Sequence, residues 1–252
     1  MLTIEHLTKI YDNGYKALDD ISFEIPDGQF VVIIGLSGSG KSTLLRCINR
    51  LITPTEGRIL WNGLDVTAAG DDELRQIRRR IGMIFQQFNL VKRSKVITNV
   101  LAGRLGYTNP MWSLFNRFSK ADYELALAQL DRVGIRSQAY KRADELSGGQ
   151  QQRVGIARAL MQQPEIMLAD EPVASLDPAT SHSVMKYLEM LNKDMGITVL
   201  CSLHFLSLAR AYADRVIALK DGKVMFDGPA QSIDEDRFRA IYGEDAVEVE
   251  IS

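Results

Sequence analysis

Apolar and polar positions along the 252-residue chain change period several times, and each change marks an element. Leu2-Thr3-Ile4 and Ile21-Ser22-Phe23-Glu24-Ile25 alternate, which predicts half-exposed antiparallel strands, and Pro26-Asp27-Gly28 turns the chain after the second. Phe30-Val31-Val32-Ile33-Ile34 is apolar without a break, whereas Leu44-Leu45-Arg46-Cys47-Ile48 has helical spacing. Gly57-Arg58-Ile59-Leu60-Trp61 predicts a strand running into an Asn62-Gly63 turn. Asp71 to Arg80 predicts a charged helix, followed by the strand Ile81-Gly82-Met83-Ile84-Phe85. From about Leu90 to Gln163 the pattern is helical, most clearly over Ala121 to Val133. Strands return at Ile166-Met167-Leu168-Ala169 and at Thr198 to Leu203, both nearly all apolar, as expected of central parallel strands covered on two faces. Arg215 to Gly228 reads as a hairpin turning at Asp221-Gly222, and Asp234 to Tyr242 as a short terminal helix.

The pattern is therefore an α/β core interrupted by a helical insert. Composition narrows the class without naming a function. Hydrophobic residues make up 46% and charged residues 25%, ordinary for a globular chain, and no repeat or low-complexity tract appears. A net charge of −2 gives no footing for a nucleic-acid partner. No apolar run approaches the roughly 20 residues of a membrane span, and the first residues do not resemble a signal peptide. Cys47 and Cys201, both in apolar surroundings, read as buried reduced thiols. The expected place is the cytosol, or the cytosolic face of a membrane reached through a partner.

Chemistry enters at Gly35-Leu36-Ser37-Gly38-Ser39-Gly40-Lys41-Ser42-Thr43, which lies between a predicted strand and a predicted helix. That context makes G-x-x-x-x-G-K-[ST] a phosphate loop. Its glycines let backbone N–H groups wrap a polyphosphate, Lys41 is expected to reach the β- and γ-phosphates, and Ser42 to ligate Mg²⁺. Ile166-Met167-Leu168-Ala169-Asp170-Glu171 delivers two carboxylates at the end of a buried strand. Asp170 is placed to hold Mg²⁺, and Glu171 to deprotonate an attacking water. Leu146-Ser147-Gly148-Gly149-Gln150, running into Gln151-Gln152-Arg153-Val154-Gly155-Ile156-Ala157-Arg158, describes a second anion-binding helix start.

This last run, with the two motifs before it, resembles the signature of the ABC (ATP-binding cassette) ATPases. The resemblance implies a P-loop NTPase fold of ABC type: a RecA-like parallel-sheet core with an antiparallel β subdomain and an α-helical insert. Residues 1–252 would be a single ATP-binding domain, with core over about 1–89 and 164–252 and the signature-bearing helical subdomain over about 90–163. It also implies ATP and Mg²⁺ as ligands. Tyr11 matches the aromatic that stacks on adenine, and Gln86 the glutamine that touches Mg²⁺ or water and links core to insert, with Gln87 beside it as a rival. Ser175-Leu176-Asp177 matches the dimer-facing loop, and His204 the histidine that contacts the γ-phosphate, although Phe205 stands where the family usually has Asp. Two copies would pack head to tail, so that Ser147, Gly148, Gly149 and Gln150 of one cap the phosphate held by Lys41 of the other.

Over essentially its whole length the chain looks like the ATP-binding subunit of phosphonate importers. Gly103 to Thr108, Ser113-Leu114-Phe115, Tyr140 to Glu145, Asp170 to Ser175 and Ser202-Leu203-His204 carry this likeness. The expected partners are a second copy, two integral membrane permease subunits and, indirectly, a periplasmic or lipid-anchored substrate-binding protein. The expected location is peripheral, on the cytoplasmic face of the bacterial inner membrane. Polar amino-acid importers share Leu44 to Asn49 and are the nearest alternative; a soluble non-transport ABC ATPase or nucleotide-dependent regulator is the alternative of another class. The aromatics of Met111 to Phe118 are expected either to grip a membrane subunit or to pack within the insert.

Overall fold

The computed structural model describes residues 1–108 and 118–244. Among them ten strands form two sheets. In chain order, β1 (Leu2–Ile10) and β2 (Lys16–Ile25) pair antiparallel, and β3 (Phe30–Ile34) opens the second sheet. β4 (Glu56–Trp61) and β5 (Leu64–Asp65) return to the first, giving the order β2-β1-β4-β5. β6 (Ile81–Ile84), β7 (Ile166–Asp170), β8 (Thr198–Ser202), β9 (Arg215–Lys220) and β10 (Lys223–Gly228) complete the second, ordered β10-β9-β3-β8-β7-β6. All pairings within that sheet are parallel except the β9–β10 hairpin.

The unbroken apolar strands are unbroken because both of their faces are covered. Phe30, Val32 and Ile34 point into a large core shared with the helical insert. Val31 and Ile33 point the other way, into a core beneath the antiparallel sheet. The same alternation splits Met167 and Ala169 from Ile166 and Leu168 on β7. The first sheet behaves differently, as an alternating pattern requires, with β2 burying every other residue over Ile21 to Ile25. β1 runs well past the predicted Ile4 because register shifts interrupt its pairing between Ile4 and Leu7, where His6 takes a φ of 50°. Such an irregularity breaks the period-two pattern without ending the strand.

The insert enters after β6 and leaves before β7. Val96–Leu101, Lys120–Arg132 and Gly148–Leu160 are its described α-helices, the second opened by a Ser119–Asp122 capping box. Of the aromatic segment, residues 111–117 lie outside the described residues; Phe118 packs against the larger core. One long helix, Pro178–Met195, was not among the predicted elements. Its boundaries were nonetheless written in the chain: Asp177 accepts the Thr180 amide, Pro178 occupies the first turn, and Gly196 closes it at a φ of 67°. The shorter Leu206–Tyr212 was likewise unassigned. Among the described residues no helix is long and apolar enough to cross a membrane.

Both thiols are fully buried, and desolvation pushes the Cys47 thiol up to about 12 and raises that of Cys201 as well. Neither should react with a thiol-directed alkylating reagent in the native protein at neutral pH. Both should react once denaturant is added, so counting labels by mass spectrometry gives none and then two; prompt labelling of the native chain contradicts this packing.

Candidate active site

The phosphate loop is built from the end of β3. Gly35, at a φ of 143°, lies so close to the Leu219 carbonyl that no side chain could be accommodated. Gly40, at a φ of 105°, would set a Cβ 2.5 Å from the Ala17 carbonyl oxygen. The loop is thus pressed against β9 on one side and β2 on the other, which is possible only without side chains at these two points. The helix Lys41–Ile48 starts at its end. Lys41 is 3% exposed, and its Nζ donates to the carbonyls of Gly35 at 2.8 Å and Leu36 at 3.0 Å. Burial lowers the pKa of this ammonium, opposed by the neighbouring Glu171 and Asp170 carboxylates. The loop opens onto a cavity of about 280 Å³, lined by Ser37, Gly38, Gly40, Lys41, Ser42, Thr43, Gln86 and Glu171 among the residues singled out from the sequence. Ser39 is buried instead, with its amide bonded to the Leu36 carbonyl.

The two carboxylates come from successive residues, one ending a strand and the other just beyond it. Asp170, the last residue of β7, is 1% exposed. Its Oδ1 accepts the hydroxyls of Ser42 at 2.6 Å and Ser202 at 3.3 Å, and its Oδ2 accepts Arg46 Nη2 at 3.1 Å. Glu171 leaves the strand at a φ of 49°, its amide bonded to the Ser202 hydroxyl at 2.9 Å. Its Oε1 sits 2.7 Å from His204 Nε2 and 3.8 Å from Lys41 Nζ. Phe205, in the usual Asp position, packs its side chain against the larger core. Arg46 and Ser202 were not predicted. The signal for both was modest: a charge within an apolar helical run, and a serine ending an apolar strand that lies in register with Asp170.

Among the described residues no three His, Cys, Asp or Glu side chains gather as a metal cage. The adjacent Ser42 hydroxyl and Asp170 carboxylate are hard oxygen donors of the kind that, with phosphates and waters, suit Mg²⁺.

The remaining predicted residues divide. Gln86 lines the cavity and Gln87 does not. Tyr11 also stands outside the lining; its hydroxyl meets Thr43 Oγ1 at 3.2 Å, and its ring lies nearly parallel to that of Tyr15, 13° apart with centroids separated by 6.4 Å. Tyr15, unremarked in the sequence, does line the cavity and donates its hydroxyl to the Gly38 carbonyl at 2.8 Å. Ser147 caps the helix Gly148–Leu160 in a reciprocal box with Gln150. Neither these two nor Gly148 and Gly149 line the cavity; Gly148 lies against Leu176, and Gly149 has no room for a side chain beside Thr180. Asp177 caps the following helix, and the hydrogen bond from Thr180 holds its carboxyl below the usual range. One chain therefore carries two anion-ready helix starts that do not face the same cavity.

Tyr15→Phe keeps the ring and removes only the hydroxyl on the loop. An exposed hydrogen bond of this kind contributes about 1 kcal/mol, so nucleotide affinity measured by calorimetry should fall by roughly threefold to tenfold with thermal stability nearly unchanged. An unaltered affinity would show that this hydroxyl does not shape the loop.

The ABC transporter family model matches residues 18–174. The chain is 54% identical over 251 residues to a phosphonates import ATP-binding protein PhnC of Shouchella clausii, covering 100% of this chain and 94% of that protein. It is 54% identical over 250 residues to a PhnC of Bdellovibrio bacteriovorus, covering 99% and 96%. Among solved structures it resembles the ATP-binding cassette MJ0796 in a dimeric post-hydrolysis state bound to ADP and Pi. The TM-score is 0.79 and the identity 38%, over 91% of this chain and 99% of that one. The ATP-binding cassette MJ1267 in its ADP conformation gives 0.81 at 30% identity, over 97% and 95%. The chain belongs to the ABC transporter family, among its ATP-binding cassettes.

Proposed function

We propose that the chain is the ATP-hydrolysing subunit of an importer for phosphonates or related phosphorus oxyanions. One observation carries this reading: the full-length identity to phosphonate-import ATP-binding proteins coincides with a single cavity that gathers Lys41, Ser42, Gln86 and Glu171. Lys41 leaves its two carbonyl partners for the β- and γ-phosphates, where a buried ammonium acts in a low dielectric. Ser42 and Asp170, with Gln86, are the residues that would hold Mg²⁺, which would supply charge neutralisation on the phosphates. Glu171 accepts a proton from the attacking water, and His204, bonded to the same carboxylate, fixes its direction and reaches toward the γ-phosphate. Tyr11, beside Tyr15, offers its ring to the adenine.

Closure needs a second copy. Ser147, Gly148, Gly149 and Gln150 lie outside the cavity of their own chain, which supports a head-to-tail pair in which they cap the phosphate on the other chain's Lys41. Asp177 then sits at the junction of the two copies. Two integral membrane subunits, fed by an external binding protein, convert this closure into transport, with the ATPase on the cytoplasmic side. The 1–89, 164–252 and 90–163 divisions correspond on this reading to the parts that move against one another. The ATPase need never touch the transported molecule, so its cargo is read from kinship and not from its own site.

Glu171→Gln should bind ATP with near-normal affinity, accumulate as an ATP-dependent dimer on size exclusion and lose nearly all turnover; brisk hydrolysis would remove Glu171 from the base role. Lys41→Ala should instead weaken triphosphate binding itself, by at least about tenfold, as expected for loss of a charge-assisted contact. The cargo is tested with the membrane subunits that co-purify: in vesicles, ATPase activity should rise with a phosphonate-loaded binding protein. Stimulation by a polar amino acid instead would move the chain to that importer class.

A further inference from the structure

The link from the core to the insert is short. β6 ends at Ile84, Phe85 still packs against the smaller core, and Gln86 and Gln87 are exposed and outside any element. Anchoring to the insert resumes at once. Arg158, on the signature helix Gly148–Leu160, donates Nη1 to the Asn89 carbonyl at 2.6 Å and Nη2 to the Phe88 carbonyl at 3.2 Å. The Phe88 ring lies 3.7 Å from where a Cβ on Gly148 would stand. Asn99, 4% exposed, accepts the Val91 amide at 2.7 Å and donates to the Val91 and Lys95 carbonyls. Further along, the amides of Ala143 and Asp144 donate to the carbonyls of Ser94 and Lys92, each at 3.0 Å, just before the signature turn. Phe88 to Ser94 and the signature helix are thus one body, with two residues of free chain between it and the core. A guanidinium suits this joint because its planar fork reaches two successive carbonyls at once.

We propose that Arg158 is a positioning residue that makes the signature turn follow Gln86. When phosphate in the cavity draws Gln86 in, the hinge at Gln86-Gln87 turns. The body fixed by Arg158 then carries Ser147 to Gln150 toward the other copy. Two hinge residues joined to a rigid element are sufficient for such a motion. This inference rests on the head-to-tail reading and adds the joint that would link nucleotide occupancy to dimer closure.

The test uses the full chain carrying Glu171→Gln, with and without Arg158→Lys, which keeps the charge but not the fork. ATP binding to the dilute monomer should agree within about twofold, whereas the ATP-dependent dimer should weaken by about tenfold or more, the size expected for a lost hydrogen bond to a charged group. Hydrogen exchange should accelerate at Phe88 to Val91 while the amides of Gly148–Leu160 stay protected. Dimerisation equal to the parent overturns the inference, as does exchange that accelerates along the whole helix, which marks Arg158 as a general support of the fold. Asn99→Ser, loosening the same segment from its other end, stands in if Arg158→Lys does not fold and is judged by the same two readouts. A Glu171→Gln parent that binds ATP yet never dimerises defeats the head-to-tail reading itself, and this inference with it.

Discussion

The Asp170 carboxylate is the point through which the rest of the site is held. It is nearly removed from water at the end of a central strand, a placement that costs several kcal/mol unless the charge is satisfied. Satisfaction comes from two other elements. Ser42 and Arg46 approach from the phosphate-loop helix, and Ser202 from the neighbouring strand. One buried charge therefore ties the loop, β7 and β8 into a single geometry, and the Ser202 hydroxyl passes that constraint on to the Glu171 amide. The arrangement demands complete partnering, because removing any donor leaves part of a buried anion exposed to a low dielectric.

Around that charge the architecture separates a doubly covered sheet from an insert joined to it by a short link. The parallel strands are covered on both faces, with alternate residues feeding two different cores, so the sheet that carries Asp170, and whose strand ends lead to Lys41 and His204, has little freedom to shear. The phosphate loop adds its own constraint, wedged between β2 and β9 with glycine at the closest approaches. The signature turn, by contrast, belongs to an insert that reaches the core through exposed glutamines and packs against the loop after Glu171. The phosphate loop and the signature turn thereby belong to different parts of one chain, the first fixed against the sheet and the second carried by the insert.

The site was legible to unequal degrees. The phosphate loop, the Asp-Glu strand end and the signature turn could be read because each is a contiguous run whose residue types follow from local backbone demands. Glycines fit where the chain must bend tightly, a lysine and serine follow them, and two carboxylates end an apolar strand. Arg46, Ser202 and Tyr15 could not be read in this way: each acts through a partner distant in sequence, Asp170 for the first two and Gly38 for the third. Gln86 was separable from Gln87 only through the cavity it lines. The helix Pro178–Met195 is a different case, since its cap, proline and terminal glycine are all local signals present in the chain.

The order of local backbone states and the identity of the reactive groups are thus properties of the linear chain, because hydrophobic period, turn chemistry and phosphate-loop spacing act over a few residues. Which groups meet, and which stay apart, is set by packing over distances that no local pattern encodes. His204 reaches Glu171 because two neighbouring strands end in register, and Arg158 grips Phe88 and Asn89 because the insert folds back on its own entrance. The separation of the signature turn from the phosphate cavity has the same origin, since it depends on where a whole subdomain comes to rest against the sheet.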